Sequence, residues 1–318
     1  KPSFDKILAW HPKDTCDSRS IAGLAADKDG VYVLAQSFRS QLRMFDHDGN
    51  YVRTLIPYRP DKVGTKELNV PTRAVEYSGR VVPSLAGWGG IALFDSVEGP
   101  SGLAAAAGRL AMTQSGGYGK LYALRMRSDG TTGGEPLLGP LMSDAFGASR
   151  RQIRAAISPD GKWIYLSRIS LKGDIGDAYR DGWPRCWNAV FRAPWDSPGP
   201  IVKGNPFVGE VGRDAKSGGG EGDDDRRLNK AKGIACDAKG RLYVCDTGNN
   251  RVQVYDTEGA EGKLIKSIKV ENPQEIAVHQ LTGEIYVLSF KCNDSGIVNP
   301  GTELRILRFG PVEDPGPV

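Results

Sequence analysis

One stretch constrains the fold of this chain more than any other. Residues 232–259 read KGIACDAKGRLYVCDTGNNRVQVYDTEG. Residues 233–236 form a small apolar strand, and Asp237-Ala238-Lys239-Gly240 makes a turn. Residues 242–245 form a buried-type strand, and Thr247-Gly248-Asn249-Asn250 makes a second turn. Residues 251–255 then alternate polar and apolar with a period of two. Asn and Gly tolerate positive φ, so the turns have a mechanical cause as well as a polar composition. A unit of three such strands cannot bury both of its faces, so its neighbours in the chain must supply the missing contacts.

The pattern recurs. Ala22-Gly23-Leu24-Ala25-Ala26-Asp27 leads through a turn to residues 31–34 and then 41–46. Residues 274–278 are followed by 283–288 and 304–309, and residues 154–161 by 163–167 and, after an insertion, 189–192. Weaker copies lie at 73–95 and 102–124. Together they give six units, at about 18–56, 68–98, 99–140, 151–203, 229–270 and 271–311. A repeat of roughly 40 residues with four short strands is the signature of a β-propeller blade. The expected fold is therefore all-β: a six-bladed propeller of four-stranded antiparallel blades. The last unit has only three strands, and residues 4–10 resemble the fourth strands at 51–56 and 264–268. The N-terminal segment is expected to complete the last blade and close the ring, which removes exposed edges. Residues 1–311 then make one domain, and the Pro/Gly-rich 312–318 a tail or linker.

The stretch at 232–259 resembles an NHL repeat, whose usual form runs close to G-I-A-V-D-x-x-G-x-I-Y-V-A-D-T-x-N-N-R-V-x-V-F-D. That resemblance implies an interaction platform. Readings as an enzyme have thinner support, and no catalytic residues are assigned. With His11, His47 and His279 alone, a histidine zinc site of the peptidylamidoglycolate lyase kind is hard to build. Gluconolactonase-type propellers hold a divalent ion with acidic and Asn groups in the channel, and here Glu275 is the single acidic candidate at the aligned position. No cofactor is expected.

Propeller topology brings the start of each innermost strand to one face. The aligned positions there carry Gly23, Arg73, Gly102, Arg154, Gly233 and Glu275. The glycines are expected to keep the channel mouth open. The charged residues admit two readings, since charges in such a place are solvated or paired. Glu275 pairs with Arg73 or Arg154, or the arginines form an anion-binding mouth. Trp88 and Tyr118, each between glycines in a loop, are candidate stacking platforms. The insertion at 172–187 carries Tyr179, Trp183 and Trp187. It reads either as a binding element or as a lid packed on itself.

The loop at 218–227 is acidic and then basic, without full EF-hand spacing for calcium. Of five cysteines, Cys236 and Cys245 replace small apolar residues of the repeat. Ring closure would make Cys16 and Cys292 neighbours, and a disulfide between them would imply an oxidising compartment. A net charge of +4, scattered along the chain, does not argue for nucleic acid, and no apolar run suits membrane insertion.

The leading expectation is a binding module that presents its loop-rich channel face to a protein or glycan partner. Without an initiator Met, it is expected to be part of a larger protein that is extracellular, on the cell surface or periplasmic. One alternative is a lyase or hydrolase acting on an anionic polysaccharide, with Arg73 and Arg154 neutralising the substrate and Tyr118 or Tyr179 moving the proton. The other is a structural assembly subunit.

Overall fold

A computed structural model describes residues 20–36, 41–56, 72–77, 79–85, 100–114, 120–126, 132–133, 153–168, 188–195, 206–211, 220–292 and 301–316. The chain divides into two compact units, 1–115 with 120–140, and 116–119 with 141–318.

In unit 1, β1 (Ser20–Asp27), β2 (Gly30–Gln36), β3 (Gln41–Phe45) and β4 (Tyr51–Ile56) form one four-stranded sheet in chain order. The strands β5 (Thr72–Tyr77) and β6 (Arg80–Leu85) pair as a hairpin. A second four-stranded sheet is made of β7 (Pro100–Ala106), β8 (Arg109–Gln114), β9 (Lys120–Met126) and β10 (Thr132–Gly133). Tyr32, Val33, Leu34 and Leu42 are fully buried. The first strands of the two larger sheets lie side by side, and this contact explains Gly23. A Cβ there would stand 2.7 Å from Leu103 Cβ.

Unit 2 holds three sheets. One is β11 (Arg154–Ile157), β12 (Trp163–Ser167), β13 (Ala189–Pro194) and β14 (Val208–Gly209). The next is β15 (Ala231–Cys236), β16 (Leu242–Asp246), β17 (Arg251–Asp256) and β18 (Lys263–Lys269). The third is β19 (Pro273–Val278), β20 (Ile285–Ser289) and β21 (Arg305–Phe309). All pairings within these sheets are antiparallel.

The middle sheet is buried on both faces, as its sequence demands. Leu242 and Val244 of β16 join Tyr165, Phe207 and Leu228 in one core. The alternate residues Tyr243 and Cys245 join Val252, Ile285 and Val287 in another. Each large apolar side chain taken out of water here contributes about 1.5–3 kcal/mol. Cys236 and Cys245 are free thiols, and burial pushes both pKa values up.

These are blades of β-propeller type. The count differs from the expected six four-stranded blades: among the described residues four sheets have four strands, one has three and one has two. The segment expected to close the ring, 4–10, lies outside the described residues. The stretch expected as a tail is packed as far as residue 316. Val312 is buried in the second core, and Glu313 accepts from Lys239 Nζ and Arg241 Nη1, both at 2.7 Å. An apolar residue followed by a carboxylate that meets two cations is held rather than free. Among the described residues, no helix is long and apolar enough to cross a membrane.

Candidate functional site

The site in unit 2 is produced by one irregularity of the repeat. In β19 the register jumps between Pro273, opposite Ser289, and Glu275, opposite Leu288, so Gln274 is an extra residue. In β15 the register jumps between Ala231, opposite Asp246, and Ile234, opposite Val244, so Lys232 and Gly233 share one partner. Unit 1 has matching shifts between Ile21 and Gly23 and between Pro100 and Gly102. A β-bulge leaves a residue unpaired and re-aims its side chain. Here the two bulge side chains meet: Lys232 Nζ donates to Gln274 Oε1.

Gln274 is fully committed. Its Nε2 donates to Asn272 O at 3.1 Å and to Phe290 O at 2.8 Å. Its Oε1 also takes a hydrogen bond from Cys292 Sγ at 3.3 Å. Lys232 Nζ reaches Cys292 Sγ at 3.1 Å. Ser167 Oγ at the end of β12 donates to Lys232 O, fixing the bulge from the neighbouring blade. Thr247 Oγ1 at the end of β16 does the same to Pro273 O.

Beside this cluster Arg154, at the start of β11, donates through Nε to Glu275 Oε1 at 2.6 Å, with Nη2 aimed at the same oxygen. The side chains are 18% and 36% exposed, so the pair opens to solvent. Arg168, one residue past β12, is only 8% exposed. Its φ is +59°, a left-handed backbone rarely adopted by residues with a Cβ. Its guanidinium makes no hydrogen bond or salt bridge among the described residues, and it sits in the field of Arg154, Glu275 and Cys292. Burial first, and repulsion from Arg154 second, push its pKa down to about 10. Burial also pushes Lys232 down, with Arg168 adding to the effect and the Cys292 sulfur and Glu275 opposing it. Among the described residues, Arg154, Arg168 and Lys232 thus gather near Glu275 at the inner edge of three adjacent blades, an arrangement suited to holding an anion.

Of the two partners considered for Glu275, the structure places Arg154 against it. Arg73 lies on β5 opposite Ser84, and its side chain is outside the described residues. Trp88, Tyr118, Tyr179, Trp183, Trp187 and Cys16 also lie outside them. Cys292 is a free thiol. Gly233 does not hold a mouth open: a Cβ there would stand 2.6 Å from Glu275 Cα. Small size there lets the next inner strand approach. Lys232 and Gln274 carry no signal in the aligned column of Gly233 and Glu275, because both sit one position before it. Arg168 and Cys292 follow strand ends, where no periodic pattern marks them.

The acidic loop is anchored over its described residues, 220–227. Buried Asp246 accepts from Asn229 N at 2.6 Å, Asn249 Nδ2 at 2.8 Å and Arg251 Nε at 2.7 Å. Arg251 then donates to Asp223 O, Asp224 O and Arg227 O. Asp224 is itself engaged by Arg227 Nε at 2.6 Å and by two backbone N–H groups. Among the described residues no group of three His, Cys, Asp or Glu side chains could hold a metal ion.

These features define a protein built of antiparallel β-propeller blades with a cation-rich inner edge. The NHL repeat model matches residues 228–255, the stretch stapled by Asp246, Asn249 and Arg251. Residues 228–255 thus carry an NHL repeat. The chain is 39% identical over 131 residues to the E3 ubiquitin-protein ligase TRIM71 of Bos taurus, a match that covers 40% of this chain and 14% of that protein. The chain thus spans a small part of that relative's length. Among solved structures it is similar to the nidogen/laminin complex at 14% identity and a TM-score of 0.47, covering 92% of this chain and 76% of that chain. It is also similar to a putative 6-phosphogluconolactonase from Bacteroides uniformis at 14% identity and a TM-score of 0.45, with 94% and 71% covered.

Proposed function

We propose that this chain is an interaction module that seats an acidic group of a partner protein at the Arg154–Arg168–Lys232 cluster of unit 2. The observation that carries this reading is Arg168. A guanidinium has five donors in a rigid fork and stays charged. Burying one without a partner is expensive, and a bound carboxylate or phosphate would offset that cost. Its left-handed backbone adds about 1–3 kcal/mol of strain, of the kind that collects at ligand sites. Solvent access beside Glu275 gives the partner an approach. The resemblance of 228–255 to repeats that serve as interaction platforms points the same way.

The test is anisotropy of a fluorescent oligoglutamate peptide titrated with the whole chain, at two salt concentrations. Binding that weakens with salt and is mostly lost in Arg168→Met supports the reading. Binding unaffected by Arg168→Met and by Lys232→Met would sink it.

A further inference from the structure

Resting on that reading, we infer that the acidic group this cluster is built to take is a phosphate monoester on a partner's Ser, Thr or Tyr, in preference to a carboxylate. Charge is the first argument. Arg154 is paired with Glu275, and among the described residues neither Arg168 nor Lys232 has a carboxylate of its own, which leaves two positive charges for a ligand. A single carboxylate would cancel one of them. A phosphate monoester carries about −1.5 to −2 near pH 7, and presents three acceptor oxygens.

Donor supply is the second argument. Arg154 spends Nε and Nη2 on Glu275, and Lys232 spends two of its three hydrogens on Gln274 and Cys292. Arg168 retains its whole fork, and Lys232 retains one N–H. A planar fork and a point charge beside it are a usual pairing for phosphate oxygens.

Rigidity is the third. Gln274 is held by two backbone carbonyls and itself holds Lys232, while Ser167 pins the Lys232 backbone. The ammonium is thus placed before any ligand arrives, so little ordering cost remains at binding. Glu275 is the one repulsive element. It disfavours weakly charged or wrongly placed anions, as specificity built on repulsion requires.

The experiment compares one Ser-containing peptide in three forms: unmodified, Ser→Glu and phosphoserine. Binding to the full chain is measured by anisotropy, with inorganic phosphate as competitor. Phosphoserine is expected to bind about tenfold tighter than Glu, the phosphate acting through charge-assisted bonds. Arg168→Met should abolish that difference. Glu275→Gln, which removes the repulsive charge, should tighten the phosphopeptide about threefold. That second variant keeps the test open if Arg168→Met fails to fold. Equal affinity for phosphoserine and Glu overturns this inference and leaves the interaction module standing. No binding of either form overturns both. Inorganic phosphate binding as tightly as the phosphopeptide assigns the site to the free anion and overturns the peptide assignment.

Discussion

Arg154 and Glu275 lie 121 residues apart in sequence and pair at 2.6 Å, joining the inner strands of the first and third sheets of unit 2. The strand between them, β15, contributes Lys232 to the same cluster, so three blades share one electrostatic environment. The pair is partly open to solvent, which limits what it adds to stability. A double-mutant cycle with Arg154→Met and Glu275→Gln should give a coupling of about 1 kcal/mol, since water screens a carboxylate this exposed. Urea melts of the four proteins measure it.

Asp246 is the hub of the repeat's D-T-x-N-N-R motif. Burial pushes its pKa up, while hydrogen bonds from Asn229, Asn249 and Arg251 oppose the shift. Asp246→Ala leaves Arg251 without its carboxylate and should cost about 3–5 kcal/mol, the usual loss on breaking a buried pair. Asp246→Asn retains the shape and should cost less. Chemical denaturation decides the order.

Gly233→Ala should destabilise unit 2 by about 1–3 kcal/mol through overpacking against backbone. The new methyl would meet Glu275 Cα, Gln274 O and Ile276 N, none of which can rotate away. Thermal unfolding followed by circular dichroism reads the loss. An unchanged midpoint would mean that the inner strands are further apart than described.

Lys239 first, and Arg241 second, hold the Glu313 carboxyl down to about 2. A carboxyl with a folded pKa below its unfolded value contributes stability above the unfolded value of 4.5, and that contribution is lost as pH falls towards about 2. Carbon NMR titration should show Glu313 still ionised at pH values where ordinary glutamates have protonated. Lys239→Ala should raise its midpoint towards the ordinary range.

The legible parts of the sequence were those set by side-chain period and turn chemistry. Residues 242–245 and 251–255 alternate or run apolar because both faces of their sheet are covered, and Asp237 and Asn250 sit where tight turns need them. Arg154 and Glu275 stood out because they occupy a position the repeat normally gives to glycine. Lys232 and Gln274 did not, because a bulge adds a residue without disturbing the composition on either side. Arg168 was hidden for a different reason. Its importance comes from burial and from a positive φ, and neither property is written in a single residue type.

The contact of Gly233 with the Glu275 backbone means that the blades are not independent tiles. A side chain added at a purely architectural position in one repeat would displace the carboxylate that the next repeat contributes to the cluster. Tolerance to substitution along this chain should therefore be set by the adjoining repeat as much as by the repeat that is altered. Ligand preference could then drift through changes at residues that never touch a ligand.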